Sequence, residues 1–328
     1  MKGKRKAILR WLVILLPLAV VIALCAGVPD LRRVLVVRLS RIVMAAVVGA
    51  GLSVAGVILQ AVLRNPLAEP YILGVSAGGG LGASLALMLG GVVPAHASVA
   101  FLGPLYIWRL PLFAFIGSLA TIFLVYELAR IGPRVPTHNL LLAGVIVGTM
   151  FGSLLMAIIY LSHEPWMSLV SWLLGDLEVY HVEMLYFSGA AVFFGIVVAL
   201  LFRRDLNLML LGEEPAAHLG LRVERMKKLF FVVSSLMTAV IVASCGLIGF
   251  VGLIVPHLTR LVLGPDHRSL VPGAALAGAM FLILCDAVAH TILKPFGIPQ
   301  VPVGVVTAFA GGPFFLYLLR RRRKDYWG

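Results

Sequence analysis

The chain has 328 residues, 61% of them hydrophobic and 12% charged, with a formal net charge of +13 and a mean hydropathy of +1.05. So high an apolar content far exceeds what a water-soluble core needs, so most of the chain must face lipid. The positive charge does not mark a nucleic-acid binder, because the Lys and Arg residues sit in short loops between apolar runs and form no basic, aromatic-interleaved surface.

Hydropathy and Gly/Pro punctuation predict an all-α polytopic membrane protein, a single domain over 1–328. About ten spans are expected, at roughly 8–28, 42–63, 72–90, 110–130, 139–161, 184–202, 227–247, 250–263, 270–291 and 303–319. Lys2, Lys4, Arg5 and Lys6 ahead of the first run imitate a signal peptide, yet no convincing small-residue cleavage site follows Cys25-Ala26-Gly27, so the run reads as a retained helix. Trp166 to Leu174 is apolar but too short to span and reads as re-entrant or interfacial. Cys25, Cys245 and Cys285 lie in apolar runs without metal or pairing spacing and read as small packing residues.

Of the 27 basic residues, all but Arg32, Arg33, Arg38, Arg41, Arg109 and Lys294 fall in loops on one side if both termini share it. The positive-inside bias therefore puts both termini in the cytoplasm. Two spans are short and broken by glycine, one opened by Leu73-Gly74-Val75-Ser76 and one around Gly246 to Pro256. Interruptions at corresponding places in two halves point to an internally repeated transporter with a midplane pathway.

Several blocks closely resemble the permease family of ABC importers for iron-siderophores, haem and vitamin B12. They are Arg38-Leu39-Ser40-Arg41, Val48 to Gln60, Arg64-Asn65-Pro66-Leu67-Ala68-Glu69-Pro70 running to Ser76, Leu140 to Val145, Leu211-Gly212-Glu213-Glu214 running to Leu219-Gly220, Gly249 to Arg260, and Pro302 to Phe315. They cover residues 38–320 in family order. The resemblance implies a type II ABC importer permease fold, a homodimer or close pair of permease subunits around one pathway, two ABC ATPase subunits carrying ATP and Mg, and an external or periplasmic substrate-binding protein. It also implies an inner-membrane location and no cofactor of the chain's own.

No Walker A loop, His-Glu-x-x-His or Ser-centred elbow occurs, so the chain is expected to be no enzyme and to borrow ATP energy through a contact surface. The polar segment at about 205–228 is the candidate. Acidic Glu213 and Glu214 with Pro215 suit the start of a short helix, and Gly220 suits its end. The resemblance makes Leu211, Gly212, Glu213, Glu214, Ala217, Leu219 and Gly220 the coupling residues, a solvated loop being the alternative.

Arg38 and Arg41 share a helix face at the outer start of the second span. In the family, arginines at these positions pair with acids on the docked binding protein; interfacial snorkelling is the alternative. A further family arginine is replaced here by His290, with Lys294 as a stand-in. By the same matching, Asn65, Leu67, Thr137 and His138 are expected at the cytoplasmic gate, ordinary capping being the alternative. Asp286, deep in a span, must face a partner or water, since an unpaired carboxylate there is costly. One such acid beside His290 is thin ground for a proton relay, which leaves an ion-coupled secondary transporter as the lesser alternative. The sequence leaves open whether the cargo is a ferric siderophore, haem, cobalamin or an oxyanion.

Overall fold

The apolar runs, cut by Gly and Pro, fold into α1 (Lys2–Cys25), α2 (Leu31–Val62), a 3-10 turn (Pro70–Leu73), α3 (Val75–Val92), α4 (Ala95–Ala129), α5 (Thr137–Leu161), α6 (Met167–Leu173), α7 (Val182–Leu201), α8 (Arg203–Met209), α9 (Glu213–His218), α10 (Val223–Cys245), α11 (Val251–Leu263), α12 (His267–Thr291) and α13 (Val303–Tyr326). The computed structural model describes residues 2–25, 31–92, 95–132, 135–161, 167–179, 181–291 and 301–326. Among them, 7 helices are long and apolar enough to cross a membrane. Three shorter apolar stretches, Val75–Leu89, Val251–Leu263 and Val303–Leu316, stand where the third, eighth and tenth spans are expected. α6 stands in the apolar stretch read as too short to span; its 7 residues rise only about 10 Å.

Helix starts depart most from expectation in α2 and α4, which begin at Leu31 and Ala95. Hydropathy marks the lipid-facing window, whereas a helix continues past it because it keeps its backbone donors and acceptors paired.

α2 is the axis of the molecule. It packs against α7, α10, α11 and α12, and 78% of its apolar window is buried, against 6% for α1, which lies outermost against α12. Two glycines make this packing possible. A Cβ at Gly49 would overlap the carbonyl oxygen of Gly278 in α12, and one at Gly56 would overlap that of Gly252 in α11. Since lipid gives helices no hydrophobic push toward one another, such backbone-on-backbone approach is the main source of attraction.

The two interrupted spans meet each other. α10 ends at Gly246 (φ +68), and the chain turns through Phe250, itself at φ +68, into α11. The Phe250 N–H donates to the Glu69 carboxylate, and the Ile248 N–H donates to the Tyr71 hydroxyl at 3.2 Å. The turn ahead of α3 thus satisfies donors that the start of α11 leaves without an intrahelical partner. Nearby, the buried Gln60 amide donates to the Gly252 and Ala68 carbonyls at 3.3 and 3.5 Å, while its oxygen accepts from Arg260 Nη2 at 3.0 Å.

Candidate functional site

One end of the bundle carries α8 and α9. Gly212, at φ +113, starts α9, and Gly220, at φ +87, ends it, with the Leu221 N–H returning to the Ala216 carbonyl at 3.0 Å. Both glycines hold backbone that other residues rarely adopt. Ala216 faces the bundle, and Glu213 is pinned to it: its Oε1 lies 2.7 Å from Lys227 Nζ and 3.9 Å from Arg64 Nη2. Lys227, its side chain 9% exposed, also contacts Glu224 at 3.5 Å and donates to the Val135 carbonyl at 3.4 Å. One ammonium therefore joins α9, α10 and the α4–α5 connection. Glu214, Ala217, Leu219 and Gly220 point away from the bundle, and Leu211 and Leu219 are 58% and 61% exposed. Beside them opens a hollow of about 820 Å³ walled by Arg64, Glu214, Arg222 and Arg225.

A second tether ties α8 to the α11–α12 connection. Asn207 Nδ2 donates to Asp266 Oδ1 at 3.0 Å, and Asn207 Oδ1 accepts the His267 N–H at 3.0 Å. Arg5 of α1 lies 3.6 Å from the same carboxylate. Partial burial pushes the Asp266 carboxyl up, but the hydrogen bonds from Asn207 and the Arg268 N–H, with the charges of Arg268 and Arg5, outweigh it and hold the group below its ordinary value.

The expected gate residues occupy two turns at this same end. The Asn65 Oδ1 accepts the Leu67 N–H at 3.0 Å, a local turn just past α2. Thr137 starts α5 and lines a small cavity with Leu63, Tyr126 and Lys227, while His138 beside it is exposed. Both turns therefore border elements that hold α9: Arg64 precedes Asn65, and Val135 precedes Thr137.

The expected docking residues divide. Arg41, about 32 Å along α2 from Val62, lies at the opposite end of the bundle. Its Nε and Nη2 donate to Asp286 at 3.0 to 3.1 Å, and its Nη1 is 3.7 Å from Asp176, in the α6–α7 connection. His290 Nδ1–H donates to the Asp286 carbonyl at 3.0 Å and sits 3.7 Å from its carboxylate. Arg41 and His290 thus converge on one acid. Arg38 stands apart, half-buried, donating to the Leu24 carbonyl at 3.0 Å. Lys294 lies outside the described residues.

Sequence reasoning passed over Glu69, Tyr71, Asp176, Lys227 and the Asn207–Asp266 pair. Only Lys227 carried a signal, a cation just inside an apolar run and three residues after Glu224.

An all-helical bundle with interrupted spans, and a short anchored helix presenting leucines at one end, defines a multi-pass membrane transport subunit. The chain belongs to the FecCD transport family, whose sequence profile matches residues 11–321. It is 42% identical over 299 residues to the cobalamin import system permease protein BtuC of Halobacterium salinarum, covering 90% of this chain and 76% of that one. It is 38% identical over 290 residues to the hemin transport system permease protein HmuU of Yersinia pestis, covering 88% and 83%. A solved structure of a metal-chelate type ABC transporter in an inward-facing conformation superposes with a TM-score of 0.83 at 32% identity, covering 96% of this chain and 99% of that one.

Proposed function

We propose that this chain is the membrane-spanning permease subunit of an ATP-driven importer that moves a metal-chelate nutrient, an iron-siderophore, haem or cobalamin, into the cytoplasm by alternating access. The observation that carries the reading is α9: a six-residue helix locked to the bundle by Glu213 and Lys227 while Leu211 and Leu219 stand exposed beside it. A solvated loop has no use for an ion pair to a buried lysine below and bare leucines above, whereas a docking helix needs both. Two ATPase subunits bind here and supply the ATP and Mg chemistry; the permease itself is no enzyme.

In this reading both termini and the α8–α9 end lie in the cytoplasm, across the inner (cell) membrane. A second copy completes the pathway. Support comes from α5, where Thr149, Met150, Ser153 and Leu154 are exposed, and from α13, where Phe309 is 84% exposed. The binding protein docks at the opposite end, where Arg38, Arg41 and His290 lie, and Asn65, Leu67, Thr137 and His138 border the inner gate.

The test replaces Leu211 and Leu219 together with Glu. Loss of ATPase co-purification and of uptake, with normal membrane insertion, is the expected result; full recruitment and uptake would overturn the reading. The family relatives do not favour an ion-coupled secondary carrier, which would transport without any ATPase and follow an ion gradient instead.

A further inference from the structure

We propose that the groove between α4 and α10 is a binding site for an anionic phospholipid of the leaflet on the α8–α9 side. The groove holds about 240 Å³ and is walled by apolar side chains, among them Ile122, Phe123, Phe231, Val232 and Leu236. Phe123 is 68% and Val232 50% exposed, so the groove opens outward from the bundle. From Lys228 to Leu236 it runs about 12 Å along α10, most of the depth of one leaflet.

The cation at its mouth sets the class of occupant. Lys228 is exposed and makes no ion pair among the described residues, unlike its neighbour Lys227, which is held by Glu213 and Glu224. Glu127, the acid at the same mouth, is already matched by Arg130 at 3.7 Å. The mouth is therefore net positive, where a phosphate headgroup lies when one acyl chain fills the groove. The apolar wall cannot choose among lipids, because every tail is equally at home in bilayer and groove. Selection has to come from the headgroup, and Lys228 supplies it.

The experiment is native mass spectrometry of the delipidated full-length protein titrated with dioleoylphosphatidylglycerol or dioleoylphosphatidylcholine. The wild type binds the anionic lipid about fivefold more tightly, the worth of one lysine beside an anionic leaflet. Lys228→Ala brings the two lipids level, Lys228→Arg keeps the preference, and Val232→Trp, which fills the groove, weakens both. Equal binding of the two lipids by wild type, or an unchanged preference in Lys228→Ala, overturns the proposal. So does competition by glycerophosphoglycerol, the headgroup without chains, at the lipid's own concentration, since the groove would then contribute nothing. None of these outcomes depends on ATPase recruitment or uptake.

Discussion

Arg41 and Asp286 form a two-pronged guanidinium–carboxylate pair at 3.0 to 3.1 Å although 245 residues separate them in the chain. With side chains 11% and 9% exposed, neither is free for water. Breaking one partner of such a pair strands a buried charge, at about 3–5 kcal/mol, whereas removing both costs less. Asp286→Ala and Arg41→Ala should therefore each lower the melting temperature in detergent, and the double variant should lower it by less than the sum of the two single effects. Strict additivity in that double-mutant cycle would show the two groups to be independent.

The same pair separates the two arginines in docking. Arg38→Glu should weaken binding-protein association and flatten its salt dependence, with a smaller loss of thermal stability than Arg41→Glu because it gives up the hydrogen bond to the Leu24 carbonyl but breaks no buried ion pair. Arg41→Glu should lower stability first. Equal binding of wild type and Arg38→Glu at low and high salt would make Arg38 a lipid anchor.

At the other end, Glu213 and Glu214 are neighbours with different duties. Glu213→Lys sets a like charge against Lys227 and Arg64, so α9 should loosen, read as faster hydrogen exchange over residues 212–220, and ATPase coupling should fall with it. Glu214→Lys is exposed and should leave that exchange unaltered, any loss of coupling then arising in the contact with the ATPase. Identical exchange in both variants would remove the anchoring role from Glu213.

Glu69→Ala leaves the part-buried Phe250 N–H without its carboxylate, and losing a hydrogen bond of this kind costs about 1 kcal/mol. Glu69→Gln keeps an acceptor oxygen and should recover most of that stability. A melting temperature equally low in both variants would mean that charge, not hydrogen bonding, is what the site needs.

The Asn207–Asp266 tether predicts a dependence on pH. Because the folded state holds the Asp266 carboxyl below its ordinary value, its contribution is complete above the unfolded value of about 3.9 and is lost as pH falls through the folded one. The stability gap between wild type and Asp266→Asn should stay constant from neutral pH down to about 5 and close below about 4. A gap that widens on acidification would reverse the sign assigned here.

The seven long apolar helices, the interrupted pair and the polar segment that becomes α8 and α9 were legible, because hydropathy and glycine position act locally. Asp286 announced that it needed a partner, but not which one. That partner, Arg41, comes from another span, and nothing near either residue encodes the meeting. Glu69 was opaque for the same reason: an acid before a proline looks like a turn, and its duty at α11 exists only after the two broken spans converge. Lys227 looked like one more positive-inside charge until Glu213 and Val135 closed around it.

The contacts of α2 at Gly49 and Gly56 bring main chain onto main chain, with no intervening side chain to change rotamer. Interfaces of that kind have a single seating, whereas those cushioned by long flexible side chains can slide by small steps. α2, α11 and α12 are accordingly held in one register, and a stroke received at α9 in the proposed transport cycle would move them as one block rather than slide them past one another.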